Sequence, residues 1–72
     1  MKDDIYLNKL GKKIVDLRTK KEISQNQLAK NIGSTNTHMR RIERGEVSCT
    51  INMLRKIAEV LEISISELVD IS

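Results

Sequence analysis

The sequence contains no proline, no tryptophan and no phenylalanine; it has three glycines, one tyrosine (Tyr6) and one cysteine (Cys49). Each shortage removes a class of answer. Scarce aromatics and scarce turn residues argue against a sheet-rich fold, because strands draw on aromatic residues and hairpins on glycine-containing turns. A lone cysteine forms no internal disulfide, which fits a reducing compartment. One histidine and one cysteine do not supply the three or four N/S ligands of a zinc site. No apolar run approaches the roughly 18 residues of a membrane span. The segment Met1–Tyr6 lacks the apolar stretch of a secretory signal, so a cytoplasmic location is expected. The 72 residues amount to one domain with a thin core, since a chain this short buries only about 60% of its unfolded surface.

What is present is helical material and charge. Leu, Ile, Lys, Glu and Arg dominate, with 39% apolar and 32% charged residues, a composition that favours short helices. The net charge is only +3, but it is unevenly spread. Residues 1–44 carry 11 Lys/Arg against 5 Asp/Glu, a balance of +6; residues 45–72 carry 2 against 5, a balance of −3. Charged helical surfaces alone produce some such imbalance. The asymmetry also fits a basic face for an anionic partner and a separate task for the tail.

Apolar periodicity divides the chain into five helices. Leu7, Leu10, Ile14 and Leu17 form one stripe on a helix over about 7–21, with Lys9, Lys12, Lys13, Lys20 and Lys21 around it. Ser24 with Gln27 three residues later is a capping box, opening a second helix whose apolar face is Leu28, Ala29 and Ile32; Gly33 ends it. Thr35 caps a third, with Met39 and Ile42 inward and Gly45 closing it. Thr50 caps a fourth, striped by Ile51, Leu54, Ile57, Ala58 and Leu61. Ser64 with Glu67 starts a short fifth helix over about 64–71. The expected fold is all-α: one compact five-helix domain over residues 1–72 without internal repeat or linker.

The second and third helices, over about 24–45, are joined by a short turn containing Gly33, which is the helix-turn-helix pattern. Ala29 is small enough for the two helices to cross closely, and Gly33 accepts positive φ without Cβ strain. Such pairs also occur in proteins that never meet DNA. The segments LGKKIVDLR (10–18), SQNQLAKNIGS (24–34), RRIERGE (40–46) and TINMLRKIAEVLEISISEL (50–68) make the match more specific. In order, spacing and helix count, Leu10 to Leu68 resembles the phage repressor and Cro family of helix-turn-helix domains, the xenobiotic-response-element type. The resemblance implies double-stranded DNA as the partner, no cofactor and no catalytic role.

It also implies residue roles. The third helix would enter the major groove, and Thr35, Asn36, Thr37, Arg40 and Arg41 match its DNA-facing positions. Asn36 suits the N6/N7 edge of adenine, and Arg41 the O6/N7 edge of guanine. Thr37 offers a hydroxyl to a base edge and a methyl to thymine. Arg40 and Arg41 serve equally well against phosphate. Gln25 matches a backbone-phosphate position, in the first turn of a helix where N–H groups and the dipole favour an anion. Ser24 is beside it, Arg44 resembles a backbone-contact position, and Lys30 and His38 are further phosphate candidates. Arg18 and Glu43 match positions that pair across the domain. His38 has no companions for a metal site, and nothing basic activates Cys49, which reads as an inert small residue. Glu22 and Glu62 stand where the family often has glycine, so positive φ there would carry strain.

Leu61, Ile63, Ile65, Leu68, Val69 and Ile71 are more apolar side chain than one short helix easily buries. They predict a two-fold dimer through this end, or a monomer that folds them into its own core. The leading expectation is a sequence-specific DNA-binding regulator of transcription, a repressor reading a palindromic operator as a dimer. A restriction–modification controller and an antitoxin that binds its own promoter are alternatives, as is a helical interaction module without DNA binding. No domain for a small-molecule effector is expected, and Cys49, His38 and the scattered acids assemble no catalytic constellation.

Overall fold

The computed structural model describes the backbone of residues 2–70 and the side chains of residues 5–70. Five helices follow in order: α1 (Lys2–Lys20), α2 (Gln25–Asn31), α3 (Asn36–Glu43), α4 (Ile51–Leu61) and α5 (Ile65–Val69). The described residues contain no strand, and no helix among them is long and apolar enough to cross a membrane.

The helix starts follow from hydroxyl chemistry. The first N–H groups of a helix have no partner inside it, and a Ser or Thr oxygen just ahead can accept one of them. Ser24 accepts the Gln27 N–H at 3.0 Å, Thr35 that of His38 at 3.1 Å, Thr50 that of Met53 at 3.2 Å and Ser64 that of Glu67 at 3.1 Å. At α2 the box is reciprocal, because the Gln27 side chain accepts the Ser24 N–H at 2.9 Å.

The helix ends share one device. After α2, Ser34 N–H reaches Ala29 O at 2.8 Å while Gly33 N–H reaches Lys30 O at 3.1 Å. The same crossed pair of bonds closes α1 at Glu22 and Ile23, α3 at Gly45 and Glu46, and α4 at Glu62 and Ile63. This Schellman closure needs a left-handed residue at its hinge. Gly33 and Gly45 supply it at φ 70° and 75°, whereas Glu22 and Glu62 adopt φ 58° and 59° with a Cβ in place. Each glutamate therefore carries a local strain of about 1 kcal/mol or more. Lys21 Nζ lies 2.6 Å from Glu62 Oε1, and this ammonium holds the Glu62 carboxyl below the usual carboxylate range.

Leu10, Ile14, Leu28, Ile32, Met39, Ile42, Leu54, Ile57, Leu61 and Leu68, with Ala29 and Ala58, form one buried cluster. Ile51 does not join it. At the first position of α4, ahead of the packed turn that begins at Leu54, it is 64% exposed. The first helix also starts at Lys2 rather than near Leu7. No proline or glycine interrupts residues 2–10, and α1 is tied to the other end of the chain at two places, Tyr6 and Lys13, of which Tyr6 lies in the added turn. The Tyr6 hydroxyl donates to Val69 O at 3.3 Å, and Lys13 Nζ donates to the carbonyls of Glu67 and, at 2.6 Å, Asp70. A five-residue helix is not stable alone. A cation against its last carbonyls and the buried Leu68 are what hold α5.

The crossing of α1 over α3 is the tightest in the molecule's glycine contacts. A Cβ on Gly11 would lie 2.7 Å from the Ile42 oxygen and closer still to that of Glu43. At the other side, a Cβ on Gly45 would lie 2.8 Å from the Asn8 backbone. Seven residues on from Gly11, hence two turns along the same face, Arg18 meets Glu43. Its Nε donates to Oε2 at 2.9 Å and its Nη2 to Oε1 at 3.2 Å, while Nη1 donates to the Ile23 carbonyl at 3.0 Å. The two side chains are only 15% and 6% exposed.

Removing one partner of such a pair strands a buried charge. Arg18→Ala is expected to cost ~3 kcal/mol, lowering the melting temperature by more than 10 °C or so for a domain of this size. Lys20→Ala, at an exposed site, is expected to change stability by less than about 0.5 kcal/mol. Equal melting temperatures for the two variants contradict the role of the pair. Glu22→Gly is expected to stabilise by about 0.5–1 kcal/mol, because the strain relieved exceeds the entropy a glycine adds to the unfolded chain. A lower melting temperature for that variant would contradict the strain.

Candidate nucleic-acid interface

The site is built on α3. Met39 and Ile42 are 0% and 2% exposed and fix one side of the helix against the core. With 3.6 residues per turn, Asn36, Thr37, Arg40, Arg41 and Arg44 then fall on the opposite side, and all five are exposed. An amide, a hydroxyl and three guanidinium groups share one helical face. Thr35 is exposed at its N-terminal edge. Its oxygen accepts from His38 N–H, which leaves the hydroxyl hydrogen to donate. Arg44 is the C-cap of α3, and its side chain is 66% exposed, 4.0 Å from Glu46 Oε2. A salt bridge so open contributes little and leaves the guanidinium available.

The proposed phosphate residues divide. Ser24 is exposed and spends its acceptor on the Gln27 N–H. Gln25 next to it is half-buried, with Nε2 donating to Glu43 Oε1 at 2.8 Å. It is therefore a held amide and not a free first-turn side chain. His38 is half-buried, with Nδ1 3.0 Å from the Ser34 oxygen. Lys30 is in the last turn of α2, at the far end of that helix from Ser24 and Gln25. The family resemblance indicates the pair Arg18–Glu43, but nothing along the sequence marks Gln25 as its third member. Gly11 was also missed, although a glycine inside a helix, about 1 kcal/mol worse than alanine there, marks a close approach.

Of the residues named for a dimer contact, burial removes two. Leu61 and Leu68 are 0% exposed. They belong to the protomer's own buried cluster and have no surface to give a second copy. Ile63, Ile65 and Val69 are half-buried and keep part of their area outside. Ile71 lies outside the described residues. Cys49 is half-buried, and burial raises its thiol to about 11, so the thiol form persists at neutral pH. Among the described residues no group of His, Cys, Asp and Glu is placed to hold a metal ion.

Comparison with known proteins bears on the family and the fold. A helix-turn-helix family model matches residues 14–68. The restriction–modification controller protein C.AhdI from Aeromonas hydrophila is 34% identical, with a TM-score of 0.82 over 86% of this chain and 94% of that one. The clp gene regulator ClgR from Corynebacterium glutamicum is 19% identical and shares the fold, with a TM-score of 0.84 over 88% of this chain and 67% of that one. No curated protein matches the chain significantly. The matched span runs from the core of α1 through the helix-turn-helix to Leu68, so the chain belongs to the Cro/C1-type, or xenobiotic-response-element, helix-turn-helix family of DNA-binding transcription regulators.

Proposed function

We propose that this regulator reads its operator by laying α3 in the major groove, with Asn36, Thr37, Arg40 and Arg41 on base edges and Thr35 at the helix entry. The observation that carries the reading is the exposed polar face of α3, locked from behind by Met39 and Ile42. A groove about 12 Å wide accepts one helix, and these side-chain types match its donors, acceptors and methyl groups. Gln25, Ser24, Arg44 and His38 flank that face and are assigned to the phosphate backbone. Such contacts set register and carry little sequence information. Lys30 adds positive charge to the same half of the molecule.

The same reading gives a homodimer on a palindromic site. The partly exposed Ile63, Ile65 and Val69 are the apolar surface proposed for that contact, at the acidic end of the chain. Two copies would place their recognition helices about one DNA turn, ~34 Å, apart. Among regulators, a restriction–modification controller is favoured by the match to C.AhdI, which spans nearly the whole of that protein. An antitoxin has no comparable observation behind it.

The test is a titration of the full chain with the DNA upstream of its own gene and with a duplex of random sequence. Binding to the upstream DNA is expected in the range of about 10⁻⁸ M or tighter, falling steeply with salt. Gln25→Ala is expected to weaken both DNAs alike. Asn36→Ala is expected to cost ~1–3 kcal/mol on the specific site alone and to relax preference at one base pair. Absence of binding to either duplex at low salt contradicts the reading.

A further inference from the structure

The contacts of Glu43 reach beyond stability. An ionised carboxylate only accepts hydrogen bonds. The part of Gln25 that faces it is accordingly the amide nitrogen, with Nε2 donating to Oε1 at 2.8 Å. That bond fixes the amide plane. One hydrogen of Nε2 goes to Glu43, the second is left to donate, and the amide oxygen is turned away from the carboxylate. An unrestrained glutamine presents oxygen or nitrogen with similar ease, and an oxygen aimed at a phosphate repels it. Glu43 is itself fixed by Arg18 through both carboxylate oxygens. The adjoining guanidinium offsets its negative charge, so an approaching phosphate meets a nearly neutral pair.

We propose that Glu43 is a positioning residue for the DNA-backbone clamp: its carboxylate holds the Gln25 amide so that an N–H, and not the carbonyl oxygen, is offered to a phosphate oxygen. The proposal rests on the reading above that Gln25 meets the backbone. Glu43 is the last residue of α3 and Gln25 the first of α2. One anchor thus sets the backbone contact in register with the base-reading helix. Arg18 acts one step behind, holding the carboxylate that holds the amide.

The experiment is a double-mutant cycle on the full chain: the parent, Gln25→Ala, Glu43→Gln and the double variant. Each is titrated with the upstream DNA and the random duplex, below the lowest melting temperature of the set. Glu43→Gln keeps the shape and can still accept from Arg18, but its amide can also donate, so Gln25 is free to flip. Each single variant is expected to weaken both DNAs by a similar factor, about tenfold. The double variant is expected to be no weaker than the weaker single one, since both changes remove one contact. A second measurement needs no variant that might misfold. The side-chain amide hydrogens of Gln25 in the parent protein are expected to exchange with solvent more slowly than those of exposed Asn26. Additive losses, a Glu43→Gln effect confined to the specific site, or Gln25 exchanging as fast as Asn26 each overturn the positioning role. Gln25→Ala binding both DNAs as the parent does overturns the phosphate reading itself, and is told apart because that variant leaves Glu43 intact.

Discussion

A carboxylate at the end of α3, 6% exposed, is the constraint on which the remaining structure depends. Left alone at that depth it would cost several kcal/mol. It is therefore partnered from two directions, by Arg18 of α1 and Gln25 of α2, and three helices are tied to one side chain. Arg18 reaches it because α1 passes so close to α3 that only glycine fits at position 11. The missing side chain at Gly11 and the long one at Arg18 are two halves of one arrangement. The first sets the distance between the helices and the second sets their rotation.

Much of this was legible along the chain because the signals are local. Hydroxyl residues before apolar stripes marked the starts of α2 to α5, and each caps its helix as its spacing implied. Glu22 and Glu62 stood where the family often has glycine, and both adopt positive φ. What was not legible depends on depth. A stripe tells which way a side chain points and not how far the packed layer extends, so Ile51 points along the right face yet is exposed, while Leu61 and Leu68 vanish into the protomer. The start of α1 at Lys2 was hidden for a similar reason: the long-range contact in its added turn is the Tyr6 hydroxyl reaching Val69 of α5, a bond between residues 63 apart in sequence. The bond from Gln25 to Glu43 joins two polar residues 18 apart in sequence, which no periodicity reports.

The fold also explains the division of charge. The basic half of the chain contains α1 to α3, where Arg40, Arg41 and Arg44 line an exposed face. The acidic half contains α4 and α5, whose apolar groups, Ile51 apart, fill the core or lie at the end proposed for a second copy. On the proposed reading, positive charge near the α3 face would steer an anionic duplex towards it. Negative charge elsewhere would disfavour docking by other surfaces. A mild net charge is in this way compatible with DNA binding, since the local field at the contact matters more than the total.

The most direct test of the account is to map, residue by residue, which backbone amide resonances move when the ¹⁵N-labelled chain is titrated with its upstream DNA. The account predicts the largest shifts at Ser24, Gln25, Thr35, Asn36, Thr37, Arg40, Arg41 and Arg44, with Arg55, Lys56 and Glu59 on the exposed side of α4 nearly unmoved. Shifts centred on α4 or α5, with α3 unmoved, would contradict it.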